Sequence, residues 1–138
     1  MIRLLILTHK GVYLDKEVER FTVPSTLGPL EISGGYTPII AGLVPAGVLK
    51  VTMGKPKYYA IFNGTLQVEH DRAFILADEI EDGYEIDIAR AIASRDRAYD
   101  RIQKKDKDID MKRARASLAR AMARINVKDL DEGRAVRY

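Results

Sequence analysis

The sequence predicts a β+α protein: an N-terminal antiparallel β-sandwich or flattened barrel, followed by a C-terminal antiparallel two-helix hairpin. Up to residue 84, short apolar segments recur about every ten residues between turn residues, a pattern typical of sandwiches. The phrase Ile-Asp-x-x-Arg-Ala then occurs at 86–91 and at 109–114, each time opening a stretch rich in alanine and arginine. The formal charge changes at the same point, from −2 for residues 1–84 to +5 for residues 85–138. We therefore expect two domains with these boundaries.

The predicted strands are short and separated by turn residues. They are Ile2–Thr8, Val18–Val23, Ile39–Val44, Val48–Val51, Tyr58–Phe62, Thr65–Val68 and Ala73–Ala77. Pro24, Gly28 and Pro29 predict a break after the second strand, because proline and glycine interrupt regular structure. Asn63-Gly64 predicts a tight hairpin, since both residues accept a positive φ. The acidic residues of 78–82 are interpreted as a solvated linker, and a cation site there is the less favoured alternative.

Each repeated phrase predicts a helix that begins just after its aspartate. The carboxylates of Asp87 and Asp110 are suited to accept the unpaired N–H groups of a first helical turn. The charged segment 104–107 predicts the turn between the helices, so facing residue numbers should sum to about 211. This places Asp87 beside Arg124. The predicted contact between the helices is made by alanines alone: Ala89, Ala93 and Ala98 on the first, and Ala116, Ala119 and Ala123 on the second.

The same geometry brings arginines together at one end of the hairpin. Arg90 and Arg97 are seven residues apart on the first helix, and Arg120 and Arg124 share a face of the second. Guanidinium groups that are this close repel one another unless an anion joins them, and arginine binds phosphate in a bidentate manner. The spacing therefore fits a phosphate or nucleotide pocket. It fits an ordinary solvated charged face as well.

No catalytic motif is present in the sequence. There is no cysteine, nucleophile elbow, phosphate-binding glycine-rich loop or zinc-binding helix motif. His9 and His70 fall in predicted turns without a cluster of metal ligands. The apolar run at residues 4–7 is too short for a signal peptide or a membrane span, which favours a soluble, intracellular protein. We interpret the chain as a binding or regulatory part and expect no catalytic residue and no metal site.

Several segments, in this order, resemble the epsilon subunit of bacterial F-type ATP synthase. They are Gly28–Ile32 with Gly35–Ile39, Asn63–Val68, Ile75–Asp78 and Ile86–Ala91. The resemblance implies a non-catalytic rotor subunit of the central stalk of the proton-translocating enzyme, at the cytoplasmic face of the bacterial cell membrane. It implies a β-sandwich that contacts the gamma subunit and the c-ring, the only link to the membrane. It also implies a hairpin that folds on the sandwich or extends toward the alpha and beta catalytic subunits and inhibits ATP hydrolysis.

The resemblance also assigns roles to residues. No cofactor is required, and ATP is expected as a regulatory ligand of the folded hairpin. The implied ATP-binding residues are Glu81, Asp87, Arg90, Ala91, Arg97, Arg120 and Arg124, with the arginines on phosphate and Glu81 on the adenine amine. The implied inhibitory contacts are Arg113, Arg115, Arg120 and Arg124, and the implied c-ring contacts are Glu31 and Tyr36. Pro29 and Tyr36 depart from residues common in the family, namely an acidic residue and a histidine.

Two other classes of protein compete with this interpretation. A basic helical hairpin that binds nucleic acid would also use the arginines of the second helix. Interleaved carboxylates and the lack of an aromatic stacking set argue against it, so we expect no nucleic-acid partner. A stand-alone ATP-sensing protein would need the same pocket without a gamma partner, and co-purification with gamma distinguishes the two.

Overall fold

The computed structural model describes residues 1–104 and 110–133, which form eight strands and two helices. The strands are β1 (Ile2–Thr8), β2 (Gly11–Val18), β3 (Arg20–Ser25), β4 (Gly28–Ser33), β5 (Ile39–Gly42), β6 (Gly47–Met53), β7 (Lys55–Glu69) and β8 (Arg72–Asp82). The helices are α1 (Ile88–Lys104) and α2 (Met111–Asp131). Within the described ranges, neither helix contains an apolar stretch long enough to cross a membrane.

The strands form one sheet in the order β2-β1-β8-β7-β6-β3-β4, and β5 pairs with the second half of β7. The predicted antiparallel sandwich is confirmed, with one parallel pair, β1 with β8. Inward-facing residues from both ends of the sheet form a single main core, whose largest fully buried members include Phe21, Ile61 and Leu66. This core is built by the sandwich alone.

Three predictions about strands are wrong. The run Val18–Val23 is divided at Glu19, and its first residue ends a strand, Gly11–Val18, that the prediction lacked. Pro24 and Pro29 do not break the chain, because they face each other in the β3–β4 pair. The residues 78–82 are no linker, since they form the last part of β8.

The Asn63-Gly64 hairpin is also wrong, because β7 runs through both residues. Their φ angles of 51° and 140° mark a bend instead. Before the bend β7 pairs with β6, and after it β7 pairs with β5. The residues of β7 that face the main core are Tyr59 and Ile61 before the bend but Leu66 and Val68 after it, so the inward set changes parity. Because Tyr59 and Ile61 face inward before the bend, Phe62 faces away from the main core and packs with residues of α2.

Both helices begin as predicted. The backbone N–H of Arg90 donates to Asp87 Oδ1 and that of Arg113 donates to Asp110 Oδ1, each at 3.1 Å. The predicted connector begins at Lys104, the last residue of α1, and its other residues lie outside the described part of the chain, as does Ile109 of the second repeat. The helices pack against each other, and α2 also packs against β6 and β7.

The predicted alanine contact between the helices needs correction. Of its six alanines, Ala98 and Ala123 are buried, while Ala89, Ala93, Ala116 and Ala119 are exposed. The buried residues of α1 are Ala91 and Ala98, seven positions apart. On α2, Ala114 and Ala121 are likewise seven positions apart and Ile125 follows one turn later, whereas Ala123 packs against the sheet. The prediction chose the wrong alanines because both helices contain so many that their spacing does not identify the buried face.

Candidate functional site: an arginine–glutamate cluster between the sheet and the hairpin

A small second core joins the hairpin to the outer face of the sheet. Ala60 and Phe62 of β7 pack there with Ala123 and Val127 of α2. Ile86, the first residue of the first repeated phrase, is 5% exposed and completes this core. The phrase therefore has two structural roles. Its isoleucine packs against the sheet, and its aspartate caps the first turn of α1.

Two ion pairs lie at the edge of this second core. Arg124 of α2 holds Glu81 of β8 in a bidentate manner, with Nε and Nη2 each 2.8 Å from a carboxylate oxygen. Arg120, one turn earlier, donates to Glu79. Glu79 also lies 3.9 Å from Nη2 of Arg124, so this carboxylate reaches both arginines. We call Glu79, Glu81, Arg120 and Arg124 the arginine–glutamate cluster.

The ring of Phe62 forms the floor of the cluster. The guanidinium carbons of Arg120 and Arg124 lie 4.2 Å and 4.8 Å from its centroid. Phe62 is fully buried, so the ring faces low-dielectric surroundings on its other side. A guanidinium over an aromatic face is favoured by the ring quadrupole, and this term adds to the ion pairs. The cluster is thus a partly buried polar contact between strand and helix, with two positive and two negative charges.

The charges of the cluster shift one another's pKa values. The hydrogen bonds from Arg124 lower the pKa of Glu81 below its ordinary value, although partial burial acts in the opposite direction. The same contact raises the pKa of Arg124. Both shifts favour the charged forms, so the contact is an ion pair at neutral pH.

The structure brings together only part of the predicted ATP-binding set. Arg120, Arg124 and Glu81 meet in the cluster, but the expected proximity of Asp87 and Arg124 gives no ion pair in the described residues, because Arg124 is held by Glu81. Arg97 donates to Ser94 of its own helix. The Arg90 and Arg97 side chains are exposed and, within residues 1–104 and 110–133, have no carboxylate partner. Ala91 is only 4% exposed.

The other predicted contact residues are distributed over the surface. Arg113 and Arg115 are exposed on the first turns of α2. Glu31 is exposed on β4 and pairs with Arg20 at 3.2 Å. Tyr36 is half-buried, because its side chain packs against the main core. Nothing in their placement conflicts with the predicted contacts, and the folded hairpin leaves Arg113 and Arg115 accessible while it engages Arg120 and Arg124.

Sequence reasoning missed Glu79 and Phe62 as parts of this site. One signal was available for Glu79, because Glu79 and Glu81 flank Ile80 with the period of a strand, and one face of that strand is therefore acidic. No comparable signal existed for Phe62. The run Tyr58–Phe62 is apolar at every position, so its pattern does not show which residues face outward.

A second surface lies on the outer face of β1 and β8, away from the second core. Leu5 pairs with Phe74 and Leu7 pairs with Leu76 across the parallel ladder, so these four side chains share that face. Leu76 is 57% exposed. Arg3, Asp15 and Arg72 line a shallow groove beside Leu5 and Phe74. The face is apolar at its centre and charged at its margin.

The comparisons with known protein families cover nearly the whole chain. Residues 1–83 match the family described as ATP synthase, Delta/Epsilon chain, beta-sandwich domain. Residues 85–129 match ATP synthase, Delta/Epsilon chain, long alpha-helix domain. Among curated relatives, the ATP synthase epsilon chain of Bacillus licheniformis is 34% identical over 107 residues, which is 78% of this chain and 82% of the relative. That of Clostridium novyi is 35% identical over 105 residues, 75% of this chain and 80% of the relative.

Solved structures agree in fold. A chain of the Euglena gracilis mitochondrial ATP synthase, in a structure of its OSCP/F1/c-ring portion, superposes with a TM-score of 0.78. Its sequence identity is 22%, over 87% of this chain and 76% of that one. A chain of the central stalk/c-ring of the Tetrahymena thermophila mitochondrial enzyme gives a TM-score of 0.62 at 15% identity, over 92% and 96% of the two chains. At these identities the likeness concerns the fold alone.

Proposed function

Because this chain belongs to the epsilon-chain family of ATP synthase and is a subunit of its central stalk, we propose that its hairpin is a regulatory switch of the rotor. In the folded position the hairpin lies on the sandwich and binds ATP. In the extended position it reaches the alpha and beta catalytic subunits and inhibits ATP hydrolysis. The subunit has no catalytic residue of its own and works at the cytoplasmic face of the membrane, through the c-ring.

The way the hairpin is attached supports a switch. The second core is small, with only Ala123 and Val127 from α2, and the buried residues of α1 are two alanines, Ala91 and Ala98. Since hydrophobic stabilisation scales with buried apolar area, at roughly 25 cal/mol per Å², the small apolar contact between hairpin and sheet is weak. The rest of the attachment includes polar contacts, namely the arginine–glutamate cluster and a hydrogen bond of 3.1 Å from Lys128 to the Gly83 carbonyl. Polar contacts of this kind exchange readily for solvent or for a ligand.

The arrangement of cations supports ATP as the ligand. Arg90 and Arg97 are exposed and lack carboxylate partners among the described residues, so they are available to phosphate. Arg120 and Arg124 lie on the other helix and would bind phosphate from the second side. Asp87 uses one oxygen as the helix cap and has the other for the ligand. Ala91 acts through its size, because it lets α1 lie close to α2 and so brings the two sets of arginines together.

A ligand that bridges both helices stabilises the folded hairpin by mass action. The gain is RT ln(1 + [L]/Kd), or about 2.7 kcal/mol at a hundredfold excess over Kd. This amount is enough to shift a two-state element whose contacts are weak. The observation that carries the proposal is the position of Arg120 and Arg124, which are the residues that tie the hairpin to the sheet.

The test is a calorimetric titration of the purified protein with ATP. We expect saturable binding at one site, a preference for ATP over GTP, and at least a tenfold weaker Kd in Arg124→Ala. Arg113→Ala is the matched control, because Arg113 is an exposed arginine of the same helix outside the proposed ATP set. Equal affinity in wild type and Arg124→Ala would remove Arg124 from the site, and no binding at millimolar ATP would refute the nucleotide switch.

We further propose that the exposed apolar face of β1 and β8 contacts the gamma subunit. Exposed contiguous apolar surface on a small domain is typical of interaction sites. This face is separate from the second core, so gamma and the folded hairpin can occupy the sandwich together. Glu31 and Tyr36 would contact the c-ring. Co-purification with gamma is the result that separates this role from a free-standing ATP sensor.

A further inference from the structure

Glu79 engages the guanidinium groups that the proposed function assigns to phosphate. Its carboxylate is bound to Arg120 and reaches Arg124, the two arginines of α2 assigned to phosphate. A carboxylate and a phosphate present the same kind of acceptor oxygens to a guanidinium group. Glu79 and ATP therefore compete for the same donors.

Glu79 and Glu81 have different consequences for binding, although they stand two residues apart on one strand. The Glu81 carboxylate has a second use in the proposed site, as the acceptor for the adenine amine. Glu79 has no such use. When phosphate takes Arg120, the Glu79 side chain, which is 45% exposed, returns to water. Because the Glu79 carboxylate is already partly exposed, its release from Arg120 into water has a low free-energy cost.

We propose that Glu79 is an internal competitor of phosphate that sets the ATP affinity of this subunit. This inference rests on the proposed function and names a regulatory residue of the same site. Without ATP, Glu79 neutralises Arg120 and keeps the hairpin folded on the sheet. With ATP, the same charge opposes binding, both by occupying Arg120 and by repelling phosphate. The hairpin thus stays folded without ligand, and ATP binds only at higher concentrations than it would in the absence of the Glu79 charge.

The predicted signature is a pair of effects with opposite sign. Glu79→Gln keeps the shape of the side chain and removes the charge. We expect its ATP Kd to fall by about three- to tenfold, because Arg120 no longer has an ionised competitor. In the absence of ATP we expect faster amide hydrogen exchange along residues 120–127 of α2, because the folded hairpin has lost an ion pair. A residue with a purely structural role would weaken both ATP binding and protection.

The experiment compares four full-length proteins by calorimetry with ATP and by hydrogen exchange without it. They are wild type, Glu79→Gln, Glu81→Gln and the control Asp15→Asn, which removes the carboxylate of a surface pair with Arg3 far from the hairpin. Tighter ATP binding in Glu79→Gln than in wild type and in Glu81→Gln, with no change in Asp15→Asn, supports the inference. ATP binding in Glu79→Gln alone also supports it, although the proposed function then fails for the wild-type protein.

Three results overturn the inference. If wild type binds ATP and Glu79→Gln binds it equally or more weakly, Glu79 is no competitor, while the nucleotide switch stands. If neither protein binds ATP, both the competitor and the switch are refuted. Unchanged hydrogen exchange in Glu79→Gln would show that Glu79 does not hold the hairpin, which also contradicts the proposal.

Discussion

Phe62 combines two roles that usually belong to different residues. It is fully buried in a small apolar core, and it also carries two guanidinium groups on one face of its ring. Each arginine is thereby held in place by a flat apolar surface and by a carboxylate. Cation–π contacts that are partly shielded from water contribute about 1–2 kcal/mol each, comparable with a half-buried ion pair. The ring therefore helps to hold Arg120 and Arg124 in position independently of their carboxylate partners.

Asp82 and Asp131 form a second charged group at the end of α2, with opposite shifts in pKa. Burial and the nearby Asp82 raise the pKa of Asp131. For Asp82, burial acts to raise the pKa, but a hydrogen bond from Lys57 and the N–H of Tyr84 lower it below its ordinary value. Lys57 lies 2.8 Å from Asp82. The charged groups that face Asp131 are thus Asp82, Lys57, Lys128 and Glu132. The charged form of Asp82 is therefore stabilised by Lys57, whereas the charged form of Asp131 is destabilised by burial and by Asp82.

We predict that Asp131→Asn raises the melting temperature at pH 7. Because the folded pKa of Asp131 is raised, folding disfavours its ionised form, so the group lowers stability above its folded pKa. The gain should therefore disappear below about pH 4, where aspartate is protonated in the unfolded chain too. The measurement is thermal unfolding followed by circular dichroism from pH 3 to pH 8.

Asp82→Asn is the contrasting variant for this measurement. Since the folded pKa of Asp82 is lowered, its charge stabilises the fold above the unfolded value of about 3.9, and that stability is lost as pH falls through the folded pKa. Its removal should lower the melting temperature at pH 7. A gain in Asp131→Asn that persists at pH 3, or no gain at pH 7, would contradict the assignment.

Among the elements, β7 decides where the functional site lies. It is the longest strand, with 15 residues, and before the bend at Asn63-Gly64 it contributes Tyr59 and Ile61 to the main core and Ala60 and Phe62 to the second core. A Cβ placed on Gly64 would meet the backbone carbonyl oxygen of Leu76 on the neighbouring strand. Glycine is needed there for two reasons, the positive φ and the close approach of β8.

We predict that Gly64→Ala lowers the free energy of unfolding by more than about 2 kcal/mol, since it combines backbone strain with a steric clash. Gly11→Ala is the matched control. Gly11 also has a positive φ, of 113°, but a Cβ there meets nothing within 4 Å, so only the strain of about 1 kcal/mol applies. Urea denaturation of both variants measures the difference. Equal losses would show that the contact with Leu76 is unimportant.

Some features of these elements could be predicted from the sequence, and others could not. Helix starts were predictable, because Asp87 and Asp110 act through local hydrogen bonds. The sandwich was predictable as a class, but its register was not. Whether Asn63-Gly64 turns the chain back or only bends it depends on the strands that lie beside it. The convergence of Arg120 and Arg124 was predicted from helical spacing, whereas their partners Glu79 and Glu81 come from β8, which spacing within the helices cannot show.

At the scale of the whole molecule, two faces of the sandwich are used differently. One outer face, at β6 and β7, receives α2 through the second core. The other, at β1 and β8, presents Leu5, Leu7, Phe74 and Leu76 without any covering element among the described residues. The main core does not depend on either contact, since its members come from the sandwich. The outer face of β1 and β8 is therefore available to a partner while α2 is packed on β6 and β7.

We predict that Leu76→Arg weakens binding to the gamma subunit by about tenfold or more without changing the melting temperature. A charge at the centre of an apolar contact must be desolvated on binding, whereas in the free subunit it remains hydrated. Tyr99→Arg is the matched control, because Tyr99 is equally exposed, at 57%, but lies on α1. Binding is measured by surface plasmon resonance on immobilised gamma. If both variants lose affinity equally, or if neither does, gamma does not contact the outer face of β1 and β8. A loss confined to Leu76→Arg assigns the outer face of β1 and β8 to the contact with gamma.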